Sequence, residues 1–109
     1  MTIRPPSLGA AIDALAATID QRAAAPPDAS YTAHLLAAGT LLAAKKFGEE
    51  AIEAALAAAA SRETLADEAA DVVYHLLVML KSCGIAPGDV AARLAARAGR
   101  SGHEEKSSR

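Results

Sequence analysis

Alanine is the residue type that most constrains this chain, since 30 of its 109 residues are Ala. Apolar residues make up 52% of the chain, but only 27 of them are larger than Ala, including one Phe, two Tyr and no Trp. Alanine is the best helix former, whereas the β-branched residues that strands favour are few here. The composition predicts an all-α fold of closely packed helices and excludes a β-sandwich, a collagen-like chain and a low-complexity chain.

Serine, glycine and proline residues divide the chain into helical stretches. Ser7 and Ser30 each precede a periodic apolar segment and are predicted N-caps, and Ser61 is the predicted cap of a later helix. Gly39 is expected to interrupt or bend one stretch, and Gly84 to end another. Four to five helices are therefore expected, over residues 8 to about 24, 31–60 with a break near 39, 62–82, and 87 to about 98.

The length predicts one domain over residues 1–109, with an N-terminal helix and linker at 1–29 and a polar tail at 99–109. The formal net charge of −2 lacks the basic excess of a duplex-binding protein. The single cysteine, Cys83, excludes an internal disulfide and a cysteine-based zinc site. No charge-free apolar run is long enough to span a membrane, and no secretory leader follows Arg4. We expect a cytoplasmic protein without nucleic-acid or membrane partners.

The predicted helix 62–82 is apolar nearly all round in its second half, where Val73, Leu77, Val78 and Leu80 lie on different faces. Such a helix needs other helices to cover every side. A chain of this length has few helices to supply that cover. We therefore expect a homodimer whose two chains complete a helical bundle.

Two pairs of acidic residues stand at matching positions on the two central helices. Glu50 and Glu53 are three residues apart, as are Glu68 and Asp71, so each pair projects from one helix face. If the helices form an antiparallel hairpin that turns near residues 60–61, Glu53 faces Glu68 and Glu50 faces Asp71. The spacing predicts four carboxylates that converge at one level of a central antiparallel helical hairpin.

Four crowded carboxylates repel one another, and a divalent cation removes that conflict. Oxygen ligands favour a hard ion, Mg²⁺ or in its place Mn²⁺, over zinc. Such an ion, with open positions for water and phosphates, indicates hydrolysis of a phosphoanhydride. The competing interpretation is a solvated acidic face, in which Lys45/Glu49 and Lys46/Glu50 form ordinary i,i+4 ion pairs.

Four further polar residues lie near the acidic pairs, and two of them have two possible roles each. Lys46 faces His75 in the same hairpin register and could add positive charge beside bound phosphates. His75 either contacts substrate or is a hydrogen-bonded interior histidine. Glu49 points away from the Glu50/Glu53 line and is either a water-activating group or a surface residue. Tyr74 is interpreted as a packing residue with a polar tip.

Several segments together resemble the phosphoribosyl-ATP pyrophosphohydrolase family, within the all-α nucleotide pyrophosphohydrolase superfamily. The acidic segments Lys46–Glu53 and Glu68–Leu77 carry the superfamily's paired acids. Ser30–Thr32 resembles the motif ahead of the metal-binding helix, and Ser101–Arg109 the C-terminal signature of this family. The resemblance covers about 80 residues, from Ser30 to Arg109.

The resemblance implies hydrolysis of 1-(5-phosphoribosyl)-ATP to 1-(5-phosphoribosyl)-AMP and pyrophosphate, the second step of L-histidine biosynthesis. It implies that Glu49 helps position or deprotonate water, and that Lys46 contacts phosphate, with Lys106 and Arg109 in the tail binding the phosphoribosyl or triphosphate groups. His34 stands where the family usually has Lys, a departure that leaves open whether this position binds phosphate. The implied ligands of Mg²⁺ are Glu50, Glu53, Glu68 and Asp71.

The cyclohydrolase of the next step, fused to this activity in some organisms, needs cysteines that this chain lacks, so we expect it on a separate chain. Two alternatives stay open: a house-cleaning pyrophosphatase that acts on (d)NTPs with the same architecture, and a non-enzymatic helical dimerisation module. A carboxylate-bridged di-iron bundle is less favoured, because the chain has no Glu-x-x-His sequence.

Overall fold

Five α-helices and one turn of 3₁₀ helix form the fold, which a computed structural model describes for residues 4–99. No strand occurs within that range, so the predicted all-α class is confirmed. The elements are α1 (Leu8–Ala23), α2 (Tyr31–Ala38), α3 (Thr40–Ala60), a 3₁₀ turn (Arg62–Thr64), α4 (Leu65–Ser82) and α5 (Pro87–Arg97).

Two of the three predicted serine caps are confirmed. The Ser7 side chain accepts a hydrogen bond from the Ala10 N–H at 3.1 Å, and that of Ser30 accepts one from the Ala33 N–H at 3.0 Å. Each bond satisfies a backbone donor that the first turn of a helix leaves free. These caps set where α1 and α2 begin.

The predicted cap at Ser61 is wrong. Its side chain makes no capping bond, and its carbonyl oxygen instead accepts bonds from the backbone N–H and the hydroxyl of Thr64, both at 2.9 Å. The chain must reverse direction within a few residues between α3 and α4. The tighter 3₁₀ turn achieves this reversal, so α4 begins at Leu65 rather than at Arg62.

The antiparallel hairpin of α3 and α4 is the centre of the fold, and its two helices pack together along most of their length. Helices α1 and α2 pack against each other and against α4. Buried apolar side chains from all four helices meet in one small core, which contains Ile19, Leu35, Ala43, Leu77 and Val78.

Much apolar surface stays uncovered in the single chain. On α3, Leu41, Ile52 and Leu56 are 87%, 64% and 63% exposed. Helix α5 buries none of its residues, and Leu94 on it is exposed. A groove of about 430 Å³ between α1 and α4 is lined almost wholly by apolar atoms. The radius of gyration of 16.0 Å exceeds the roughly 13 Å of a compact domain of about 100 residues.

Within residues 4–99, no single helix is both long and apolar enough to cross a membrane. The segments Arg62–Ser82 and Pro87–Arg97 reach that length and composition only as a pair, with a bend of 111° between them.

Gly39 separates α2 from α3 with a backbone conformation that only glycine adopts easily, φ 101° and ψ 175°. No atom lies within 4 Å of a Cβ placed there, so space does not limit this position. Gly48, inside α3, has equally open surroundings and ordinary helical geometry. Alanine substitutions at the two positions therefore differ in backbone strain but not in side-chain crowding.

We expect Gly39→Ala to lower the free energy of unfolding by about 1–3 kcal/mol, because alanine is strained at this φ and ψ. The control Gly48→Ala should raise it by about 0.5–1 kcal/mol, because alanine is the better helix former. Urea denaturation followed by circular dichroism measures both. Equal effects of the two substitutions would show that the break at residue 39 does not require glycine.

Candidate functional site

Three carboxylates from the two hairpin helices meet at one place. Glu50 and Glu53 lie on successive turns of α3, and Glu68 lies opposite them on α4. Each offers one oxygen, and these oxygens all lie within 4.8 Å of one another. Side chains three residues apart share a helix face, and the antiparallel register brings the two faces together. The arrangement can hold a cation between the helices.

Asp71, the fourth acid of the predicted group, is not among these three closely spaced oxygens. Its side chain is exposed, one turn along α4 from Glu68. Its negative charge nevertheless raises the pKa of both Glu50 and Glu68. Asp71 thus borders the cluster and contributes to its negative potential.

Glu50 is the least solvated of these acids. Its Oε2 atom is buried and has no hydrogen-bond partner within the described part of the chain. Burial raises the pKa of the Glu50 carboxyl, and the nearby charge of Glu53 raises it further. A buried carboxylate oxygen without a partner is unfavourable, and a cation would relieve both the desolvation and the repulsion.

The pKa of the Glu68 carboxyl is shifted in the same direction as that of Glu50. Loss of contact with water raises the pKa of the Glu68 carboxyl, with further contributions from Glu53 and Asp71. For Glu50 and Glu68 alike, desolvation is the main cause and the like charge of neighbouring carboxylates adds to it.

Lys46 and Glu49 form an ion pair at the edge of the cluster, with Lys46 Nζ 3.5 Å from Glu49 Oε2. Both side chains are more than one-third exposed. The pairings expected for a solvated face, Lys45 with Glu49 and Lys46 with Glu50, are not among the ion pairs of residues 4–99. Among residues 4–99, Glu50 forms no ion pair with a Lys or Arg, and Lys46 stays accessible to an incoming anion.

His75 occupies the interior, 6% exposed, beside the acidic cluster. Its Nδ1 lies 2.8 Å from the carbonyl oxygen of Asp71, and its Nε2 lies 3.3 Å from the hydroxyl of Tyr31. A carbonyl only accepts, so Nδ1 carries a proton, and in the neutral ring Nε2 accepts from the Tyr31 hydroxyl. Both ring nitrogens therefore have partners within the chain, as in the interior histidine considered above.

Tyr31 is the residue at this site to which the residue spacing assigned no role. It is 50% exposed, at the first position of α2. Partial burial raises the pKa of its phenol, and the charge of Lys46 opposes that shift. The hydroxyl therefore stays protonated near neutral pH and can donate to His75. The Ser30–Thr32 motif was the one signal for it in the sequence.

Tyr74 is a packing residue with a polar tip, as predicted. Its hydroxyl forms a hydrogen bond with the Thr32 hydroxyl, and its ring packs edge-on against His75, with ring centroids 4.9 Å apart. This contact joins α2 to α4 behind the acidic cluster. The tail residues Lys106 and Arg109, predicted to bind substrate, lie outside the described residues.

Comparison with known proteins gives a consistent result. Residues 12–98 match the family model described as phosphoribosyl-ATP pyrophosphohydrolase. A phosphoribosyl-ATP pyrophosphatase from Cereibacter sphaeroides is 52% identical over 99 residues, which is 90% of this chain and 96% of the relative. The one from Ruegeria pomeroyi is 54% identical over 96 residues, 87% of this chain and 91% of the relative. A relative of the same name from Agrobacterium fabrum is 54% identical over 92 residues, 84% of this chain and 86% of the relative.

The matched region contains the whole α3–α4 hairpin, both pairs of acids and the Tyr31–His75 contact. The family match also covers all of α2 and α5. This chain belongs to the phosphoribosyl-ATP pyrophosphohydrolase family.

Proposed function

We propose that this chain hydrolyses 1-(5-phosphoribosyl)-ATP to 1-(5-phosphoribosyl)-AMP and pyrophosphate, the second step of L-histidine biosynthesis. The relatives that carry the name of this activity match it over nearly their whole length. The observation that carries the proposal is the cluster of Glu50, Glu53 and Glu68, where a carboxylate oxygen lies buried without a partner. That arrangement is suited to phosphoanhydride chemistry rather than to a merely structural hairpin.

The acidic cluster fits Mg²⁺, with Mn²⁺ as a possible substitute, because all its donors are carboxylate oxygens. Glu50, Glu53 and Glu68 would hold the cation, with Asp71 at the border of the same site. When bound, such an ion neutralises charge on phosphate oxygens and lowers the pKa of coordinated water. The desolvation and the like-charge repulsion that together raise the pKa of Glu50 and Glu68 support this assignment.

The chain's own residues supply the other parts of the reaction. The oxygen of water attacks the α-phosphorus of the substrate. The bond from this phosphorus to the oxygen that bridges it to the β-phosphorus breaks, and pyrophosphate leaves. Glu49 is exposed beside the cluster and would accept the proton of the attacking water. Lys46 would exchange its contact with Glu49 for a phosphate oxygen, which frees the Glu49 carboxylate at the moment substrate arrives. Lys106 and Arg109 are proposed to bind the phosphate groups from the tail.

The active form is proposed to be a homodimer. Leu41, Ile52 and Leu56 lie on one side of α3 and leave an apolar surface in contact with water. An exposed apolar patch of this kind is typical of an interface between chains. A second copy would cover it and complete the helical bundle. A cytoplasmic location fits a substrate made from ATP, and a cyclohydrolase on another chain would use the product.

Pyrophosphate release tests the reaction directly. The protein is incubated with phosphoribosyl-ATP or with each dNTP, in Mg²⁺ and in EDTA. We expect fast release from phosphoribosyl-ATP alone, and none in EDTA. Release from dNTPs only would support the metal site but show that the protein is a (d)NTP pyrophosphatase. No release from any substrate would contradict an enzymatic role and favour a dimerisation module.

We expect Glu53→Gln to lower kcat at least about 100-fold, because it removes one of the three clustered carboxylates. The fold should persist, since Glu53 is exposed. The matched control is Glu63→Gln, an exposed acid in the 3₁₀ turn outside the cluster. Steady-state assays and melting curves on both variants check this. A near-normal kcat in Glu53→Gln would contradict the assignment of the metal site.

The repulsion within the cluster predicts how Glu50→Gln changes stability. In EDTA at pH 7 the variant should melt at a higher temperature than the wild type, because it removes a charge whose burial is unfavourable. A raised pKa in the folded state means that the folded wild type takes up a proton before the unfolded chain does as the pH falls. The difference in melting temperature between the variant and the wild type should therefore shrink as the pH falls toward 4.5, the ordinary carboxyl pKa.

Addition of Mg²⁺ at pH 7 should raise the melting temperature of the wild type and of Glu63→Gln, but not that of Glu50→Gln. Differential scanning calorimetry at several pH values measures all three proteins. A Glu50→Gln variant less stable than the wild type in EDTA at pH 7 would contradict this account of the cluster.

The dimer proposal predicts that Ile52→Asp produces monomers. A charge on the apolar surface of α3 would have to be buried without a partner in the interface. The control Gln21→Glu adds the same charge at an exposed position of α1, and should leave the assembly unchanged. Sedimentation velocity at micromolar concentration distinguishes the two states. A wild type that sediments as a monomer, or an Ile52→Asp variant that still dimerises, would reject this interface.

A further inference from the structure

The Tyr31 ring packs against two other rings, although Tyr31 is 50% exposed. It stacks with Tyr74, with ring centroids 6.2 Å apart and planes inclined by 20°. It meets the His75 ring in a T-shaped arrangement with centroids 6.0 Å apart, and its hydroxyl lies 3.3 Å from His75 Nε2. The exposed half of Tyr31 remains accessible to a ligand.

Tyr31 lies at the border of the acidic cluster, because its hydroxyl bonds to His75 and His75 Nδ1 bonds to the carbonyl oxygen of Asp71. Lys46, Glu49 and Glu50 are all near enough to the Tyr31 phenol for their charges to act on it. The first two form the exposed ion pair at the edge of the site, and Glu50 belongs to the clustered carboxylates. An ammonium group for phosphate and an exposed aromatic ring therefore both border the clustered carboxylates.

The contacts of Tyr31 within the chain leave half of it exposed, and the His75 tautomer is already set by the carbonyl of Asp71. A tyrosine offers a flat surface to a planar ring at low cost in conformational entropy, because it has only two side-chain dihedrals to order. A purine base stacks on such a ring without regard to its hydrogen-bonding pattern.

We propose that the exposed ring of Tyr31 binds the purine base of the substrate by stacking, while the triphosphate extends past Lys46 toward the clustered carboxylates. This inference rests on the proposed function, since it takes phosphoribosyl-ATP as the ligand. It makes Tyr31 a binding residue for the base and His75 a positioning residue that orients the ring.

Substitutions of Tyr31 that keep or remove the ring test this proposal through KM for phosphoribosyl-ATP. Tyr31→Phe and Tyr31→Trp keep an aromatic face, and should leave KM within about threefold of the wild type. Tyr31→Leu and Tyr31→Met fill similar space without one, and should raise KM by about 5- to 50-fold with kcat little changed. Two aliphatic variants are used so that poor folding of one does not decide the result.

Three accompanying measurements separate stacking from indirect effects. Calorimetric titration with Mg²⁺ should give wild-type affinity for every variant, because the ring holds no cation. Sedimentation should show an unchanged assembly. The control Tyr74→Phe removes the hydroxyl bonded to Thr32 behind the site, and should lower the melting temperature while KM stays the same.

Several results would overturn the inference. A wild-type KM in the aliphatic variants would show that the ring face is not used. An equal loss in Tyr31→Phe would assign the effect to the hydroxyl bond with His75. Weaker Mg²⁺ binding or a changed assembly in Tyr31→Leu would place the residue in the metal site or between chains. A wild type that releases no pyrophosphate from phosphoribosyl-ATP would contradict the proposed function instead.

Discussion

The antiparallel contact between α3 and α4 is the constraint on which the rest of the structure depends. It brings Glu50 and Glu53 against Glu68 in one register, and a shift by one turn would separate them. The 3₁₀ turn after Ser61 sets this register, because it determines how the chain reverses direction. Alanine lets the two helix backbones approach closely enough for short carboxylate side chains to meet between them. The helical scaffold and the chemistry therefore rest on the same contact.

Crowded carboxylates give the hairpin an internal conflict that its own residues leave unresolved. Glu50 is desolvated and adjacent to like charges, while the ammonium of Lys46, one turn away on α3, pairs with Glu49 instead. A site built for stability alone would have paired Glu50 with that lysine. A divalent cation held by the proposed site would relieve this repulsion. This arrangement supports the proposal of a metal-dependent hydrolase over that of a passive acidic surface.

The single chain also leaves apolar surface without cover, on α3 and along α5. Its core is small, since alanine contributes little buried area per residue. Association of two copies would add the missing apolar contacts. The exposed ring of Tyr31 has a different explanation, because it borders charged groups of the acidic site. Its position suits the base of a nucleotide, with the phosphates of that nucleotide at the acidic cluster.

The sequence by itself determined the helical class, two serine caps, the break at Gly39 and the hairpin register. Each follows from local geometry: a cap bonds within one turn, a glycine frees one backbone position, and residues three apart share a helix face. The register also predicts that Glu50, Glu53 and Glu68 meet, whereas Asp71, predicted to join them, is not among the closely spaced oxygens. Family membership followed from motifs, and the comparisons confirmed it.

Tertiary structure alone decided the choices that depend on distances between elements. In the folded chain Ser61 is not a cap, and its carbonyl oxygen accepts the hydrogen bonds of a 3₁₀ turn. Lys46 pairs with Glu49. His75 is buried between Asp71 and Tyr31. A polar side chain can satisfy its hydrogen bonds locally or across helices, and spacing along one helix does not distinguish the two. The packing of the helices decides which polar groups are buried and which aromatic rings stay exposed.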